Sequence, residues 1–246
     1  MRITAPGFRL GAANSVAFSA SGRLLAQVGR RVAIYSVRDR RVIVRSDWHY
    51  PHAAYVAFGA TDEWFAVRST TGAIAVVSCD DGLPRDRLPP PAQYADDSPL
   101  CAAPDDHLVE ACSSGTLRVR RLHGLGVEYV ELHPRCTLGP VAASSDLRRW
   151  VLAVNSKQLD APTRPPCRIE LRDWPFATTG RRVLRDDLGL IAAVALNERS
   201  GAVAVLHQRH AGREWSIALI SLTTGATLLE RTNAAWQSGK GFTWSA

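Results

Sequence analysis

The chain has 246 residues, 46% hydrophobic and 22% charged, a composition that suits a packed core and excludes a disordered chain. No apolar run approaches the roughly 20 residues of a membrane helix. The opening MRITAPGFRLGAANSVAFSASG lacks the apolar core of a secretory leader, so a cytoplasmic protein with no membrane partner is expected.

The net charge is +7, and every basic residue except Lys157 and Lys240 is arginine. Such a surplus favours acidic partners or nucleic acid and says nothing of fold. The five cysteines, Cys79, Cys101, Cys112, Cys136 and Cys167, show no CxxC spacing and no ligand pairing for zinc. Cys101 and Cys112 sit in apolar stretches and read as small buried hydrophobes.

Taken in chain order, the predicted elements are strands. The stretch SVAFSASGRLLAQVGRRVAIYSVRDRRVIVRS, residues 15–46, gives a short apolar strand ending at Phe18, a Ser-Ala-Ser-Gly turn and a second strand over 24–28. A third strand follows over 32–37, and a fourth over 42–44. The same order recurs four times, with first strands ending near Phe58, Ala102, Ala142 and Leu196, at spacings of 40, 44, 40 and 54 residues from Phe18. Four-stranded repeats of about 40–45 residues are propeller blades. The expected units are 14–46, 54–90, 99–133, 138–185 and 190–231, in a single all-β domain over 1–246. A two-sheet sandwich would not need one strand order repeated five times, and no stretch carries the 3.6-residue period of helical repeats.

The phrases FSASGRLLA and SLTTGATLL are similar to the strand–turn–strand patterns of the WD40-like β-propeller family, and the resemblance extends loosely over nearly the whole chain. It implies a propeller used for interactions. The Gly-His and Trp-Asp signatures are missing, and the matching strand ends read Tyr35-Ser36, Val77-Ser78, Leu171-Arg172 and Ile220-Ser221. The family's Asp-His-Ser/Thr-Trp hydrogen-bond network is therefore expected to be absent.

With the strands of each unit labelled A to D, the D–A and B–C connections share one face, and the unusual residues gather there. Asp47-Trp48-His49-Tyr50-Pro51-His52 joins the first two units, and the Pro-rich run with Tyr94, Asp96 and Asp97 joins the next two. His133 and Arg135 follow the third. The longest B–C insertion spans Ser156–Cys167, and HQRHAGRE carries His207, Arg209, His210 and Arg213. Loops longer than turn chemistry requires commonly bind, and aromatic and arginine side chains make interface anchors. The partner-binding residues expected are Trp48, His49, Tyr50, His52, Tyr94, His207, Arg209, His210 and Arg213.

The pairs His49/His52 and His207/His210 could hold a metal. His-x-x-His in a loop is a weak pattern, however, and no metal or cofactor is expected. GxSxG, P-loop and HExxH motifs are missing, so no catalytic residue is nominated. The doublets Asp80-Asp81, Asp96-Asp97, Asp105-Asp106 and Asp186-Asp187 read as turn residues. The arginines of VRDRRVIVR, RVRR and GRRVLR read as charges protecting outer strands, since no aromatics are interleaved for stacking on bases.

The leading expectation is a non-catalytic protein-binding propeller, an adaptor or a bacterial immunity-type inhibitor, with a protein partner that is acidic. An enzyme with a site on the insertion-rich face or in the central channel ranks second, and nucleic-acid binding third. In the closing GFTWSA, FTWSA aligns residue for residue with VAFSA near the start. A partial sixth blade from residues 240–246 and 2–10 is expected, or else a chain continuing beyond Ala246. In the first case self-association through the unpaired strand edges is expected.

Overall fold

The computed structural model describes residues 13–29, 31–46, 53–90, 99–112, 114–122, 126–133, 136–156, 167–176, 180–208 and 214–233. Among the described residues there is no helix. Twenty strands form five four-stranded antiparallel sheets, each in simple up-and-down order. The first sheet is β1 (Ala13–Phe18), β2 (Leu24–Gly29), β3 (Val32–Ser36) and β4 (Arg41–Ser46). The second is β5 (Ala53–Phe58), β6 (Trp64–Ser69), β7 (Ile74–Ser78) and β8 (Pro84–Leu88). The third is β9 (Leu100–Ala103), β10 (His107–Ala111), β11 (Thr116–Arg121) and β12 (Val127–Glu131). The fourth is β13 (Cys136–Ala143), β14 (Arg149–Ser156), β15 (Cys167–Asp173) and β16 (Arg182–Leu188). The fifth is β17 (Ile191–Asn197), β18 (Ala202–Gln208), β19 (Trp215–Ser221) and β20 (Thr227–Asn233). These are the five four-stranded blades expected from the repeat. The terminal segments assigned to a sixth lie outside the described residues.

The hydrophobic pattern explains the strand order. Middle strands such as β7 are buried at every position, because both of their faces are covered, whereas outer strands such as β4 alternate between exposed and half-buried side chains. The first strands also repeat an irregularity, since pairing shifts between Ala13 and Ser15, between Ala53 and Tyr55, and between Ile191 and Ala193. Such bulges re-aim the side chains that follow.

Residues 1–97 form one compact unit and 98–246 another. In the first unit Val28, Ile34, Phe58, Phe65, Val67 and Val77 make a core shared by the first and second sheets. The amide of Val56 donates to Ser15 Oγ at 3.1 Å. In the second unit the two faces of β14 divide the work. Trp150, Leu152 and Val154 join Val109, Ala111, Leu117 and Val119 of the third sheet. Val151 and Ala153 join Val194, Val203, Val205 and Ile220 of the fifth. Asn155 binds both the amide and the carbonyl of Ile191, each at 3.2 Å, fixing β17 beside β14.

Trp150 is fully buried, lies edge-on to Phe176 and stacks beside Trp174. Its indole Nε1 donates to the carbonyl of Leu147 at 2.7 Å. Leu147 has φ of 59° and Phe176 of 64°, a left-handed conformation that bulky residues rarely adopt, so the indole contact helps hold a strained turn. Trp150→Phe keeps most of the apolar fill and loses this bond. It is expected to cost about 1–2 kcal/mol, read as a lower urea midpoint with unchanged slope.

Candidate binding sites

The strand β15 places Arg168, Glu170 and Arg172 on one face, because side chains two residues apart point the same way. Glu170 pairs across to Leu152, so that face is the one the fourth sheet turns toward the third. Glu170 is fully buried. An isolated carboxylate buried there would take up a proton rather than stay charged, and here it is enclosed by cations. Arg168 Nε donates to Oε1 at 2.7 Å, and Arg172 donates to Oε2 through Nε at 3.1 Å and Nη2 at 2.9 Å. Arg181 Nε stands 3.9 Å from Oε1. His133 Nε2 lies 2.9 Å from Oε2, and its Nδ1 lies 3.1 Å from Arg168 Nη2. The tautomer protonated on Nε2 donates to Glu170 and accepts from Arg168; Arg172 Nη2, 3.3 Å from that nitrogen, then donates to Glu170 alone. Burial alone would raise the Glu170 pKa. Hydrogen bonds from His133 and Arg168, with the charges of His133 and Arg172, overcome that and hold it at about 2.

His133 reaches this cluster from the connection after β12, and a glycine puts it there. The amides of Leu132 and His133 both donate to Gly115 O, at 3.1 and 2.9 Å, and Cys136 N donates to His133 O at 2.9 Å. Gly115 has φ of +85°, and a Cβ on it would stand 1.8 Å from the His133 carbonyl oxygen.

A second buried acid lies in the third sheet. Glu110 of β10 is fully buried and pairs across to Arg118 of β11, with Nη1 3.3 Å from Oε2; Arg120 Nε lies 4.0 Å away. The Arg118 guanidinium also sits over the Tyr129 ring, 5.8 Å from its centroid. Arg118 and Arg120, each 4% exposed, therefore do not protect an outer strand as their alternation with valine suggested. They neutralise a buried carboxylate. Asp186 and Asp187 likewise lie within β16 and not in a turn, and Asp187 binds Arg185.

Of the nine residues expected to bind a partner, His207 alone is among the described residues. It stands in β18 and not in a loop, 5% exposed, with Nε2 3.8 Å from Glu230 Oε1. Trp48, His49, Tyr50, His52, Tyr94, Arg209, His210 and Arg213 lie outside the described residues. The structure adds His133, Arg168, Glu170 and Arg172, which sequence reading did not nominate. The one signal for them was a glutamate inside an apolar strand, in CRIELRD.

At the A–B end of the sheets, side chains bind one another. In the first unit Ser21 and Arg23 both bind Asp62, at 2.6 and 3.1 Å. In the second, Arg149 lies 3.2 Å from Glu198 and 3.8 Å from Asp173. Burial pushes the thiols of Cys79 and Cys101 up to about 12, so neither supplies a thiolate near neutral pH. Among the described residues no three His, Cys, Asp or Glu side chains are grouped to hold a metal.

No protein-family profile matches the chain, and no curated protein does. Solved structures do. The β-propeller domain of Cps50 (Swd1) from Myceliophteria thermophila aligns with a TM-score of 0.61 at 10% identity, over 97% of this chain and 92% of that one. Hydrazine synthase from Kuenenia stuttgartiensis aligns with a TM-score of 0.60 at 14% identity, over 94% of this chain and 68% of that one. At such identities the likeness defines the fold, a β-propeller, and carries no activity across.

Proposed function

We propose that this chain is a non-catalytic interaction propeller of the WD40-like kind, binding an acidic protein through its D–A and B–C connections as an adaptor or an immunity-type inhibitor. The observation that supports this most is the contrast between the two ends of the sheets. At the A–B end the turns are short and some of their charges are spent between neighbouring sheets, Arg23 on Asp62 and Arg149 on Glu198. At the other end of their own sheets the connections over 47–52 in the first unit, and over 157–166 and 209–214 in the second, are longer than strand reversal needs. They carry Trp48, Tyr50, Arg209 and Arg213, residue types enriched in interface anchors. The net charge of +7 suits electrostatic steering toward an acidic surface.

Affinity capture from the native extract identifies the partner, and stopped-flow association then tests the face. Arg209→Ala with Arg213→Ala is expected to slow association roughly tenfold at low salt and to flatten its salt dependence. Arg23→Ala, at the opposite end, leaves the rate unchanged. Equal rates for the double variant and the native chain would move the interface away from these connections.

A further inference from the structure

We propose that Arg168 and Arg181, held in place by the buried Glu170, form an oxyanion site that takes a carboxylate or phosphate group. The inference does not depend on the reading of the loop face above.

The first argument is stoichiometric. Glu170 already receives four N–H donors, from Arg168 Nε, Arg172 Nε and Nη2, and His133 Nε2. A staple between sheets would need no more, yet Arg181 approaches as well. Three guanidinium groups converge on one carboxylate, and two positive charges find no carboxylate among the described residues. Guanidinium groups repel one another, and an anion among them removes the repulsion.

Burial hides the acid and leaves two of its cations at the surface. The acid is wholly hidden and Arg172 is 5% exposed, whereas the side chains of Arg168 and Arg181 are 26% and 45% exposed. Solvent meets only positive charge. No other described acidic group lies within ion-pair distance of either arginine; Asp187 is taken by Arg185, and Asp173 lies by Arg149.

Geometry supplies the third argument. Both Nε atoms approach the same oxygen, Oε1, at 2.7 and 3.9 Å, so the two exposed guanidinium groups are neighbours that one oxyanion can bridge. Arg168 is locked through two nitrogens, Nε to Glu170 and Nη2 to His133. Its Nη1 has no acceptor among the described residues. An arginine fixed in this way loses little further freedom when its remaining donors bind, which is the preorganisation that strong carboxylate and phosphate recognition uses.

The test titrates phosphate, sulfate, acetate and glutarate into the full chain against chloride at matched ionic strength. Thermal midpoints and the arginine Nε–H resonances are read. A preferred oxyanion at about ten times its Kd is expected to raise the midpoint by roughly 2–4 °C and to shift two Nε–H resonances. Phosphate outranking glutarate assigns a phosphate-bearing ligand, and the reverse order a carboxylate. Arg168→Gln with Arg181→Gln abolishes the response, and Arg182→Gln, on the adjacent exposed residue, retains it. Should the double variant fail to fold, Arg181→Gln alone leaves all four hydrogen bonds of Glu170 intact and is expected to weaken binding at least fivefold. Equal responses to every anion, or an unchanged response in Arg181→Gln, would mean an adventitious ion only and overturn the proposal.

Discussion

Glu170→Gln is expected to destabilise the second unit by about 3 kcal/mol at pH 7, and by progressively less as pH falls toward 2. The magnitude follows from burial, since removing one partner of a buried ion pair typically costs about 3–5 kcal/mol by leaving the other charges uncompensated. Glutamine keeps the shape and one acceptor, which places it at the lower end. The pH dependence follows from linkage. The ordinary carboxyl value is 4.5 and the folded one is about 2, so the folded state favours the ionised form. That contribution is fully present above about pH 5 and is lost as pH falls through the folded value. It amounts to something on the order of 3 kcal/mol. Urea unfolding at pH 7, 5, 4 and 3 therefore gives a native curve that falls more steeply in acid than that of the variant, and the two converge. A gap between them that stays constant from pH 7 to pH 3 would remove Glu170 as the group linking acid to unfolding.

The blades were legible in the sequence because turn residues and strand residues are local signals. Ser-Ala-Ser-Gly after Phe18 and Thr-Thr-Gly after Leu222 make turns wherever they occur. The buried charges were not legible in the same way. RVRR reads as an outer strand because Arg alternates with Val, and nothing within that phrase shows that Glu110 lies opposite Arg118 in the neighbouring strand. Register decides it, and register is a property of two strands at once.

His207 was misplaced for a related reason. HQRHAGRE is polar enough to be a loop, but β18 continues through His207 and Gln208, which pair with Ser216 and Trp215. Ser216 in turn shares a hydrogen bond with Thr232 at 2.8 Å. His207 faces Glu230 of the next strand but one, a neighbour that a single strand read alone does not show. In each case the readable clue is an ionisable residue breaking an apolar strand, as in HLVEA and CRIEL. That clue marks a partner without naming it.

Gly115→Ala is expected to cost on the order of 3 kcal/mol or more, the second large effect, and to reach Glu170 through the backbone. Two penalties combine. At φ of +85° an L side chain is strained by about 1–2 kcal/mol. The added Cβ would also stand 1.8 Å from His133 O and 2.9 Å from Cys136 O. These are backbone atoms, so the connection itself must move. It is tied to Gly115 by the donors of Leu132 and His133, and a shift large enough to clear the methyl group carries the imidazole away from Glu170. Gly201→Ala separates the two penalties. That glycine has φ of +65°, and a Cβ there meets nothing within 4 Å, so it should lose only about 1 kcal/mol. Urea midpoints give the comparison, and the His133 ring resonances give the mechanism, because a purely local turn defect would leave them in place. Equal losses in the two alanine variants, with the His133 resonances unmoved, would mean that Gly115 serves only its own turn and does not position the histidine.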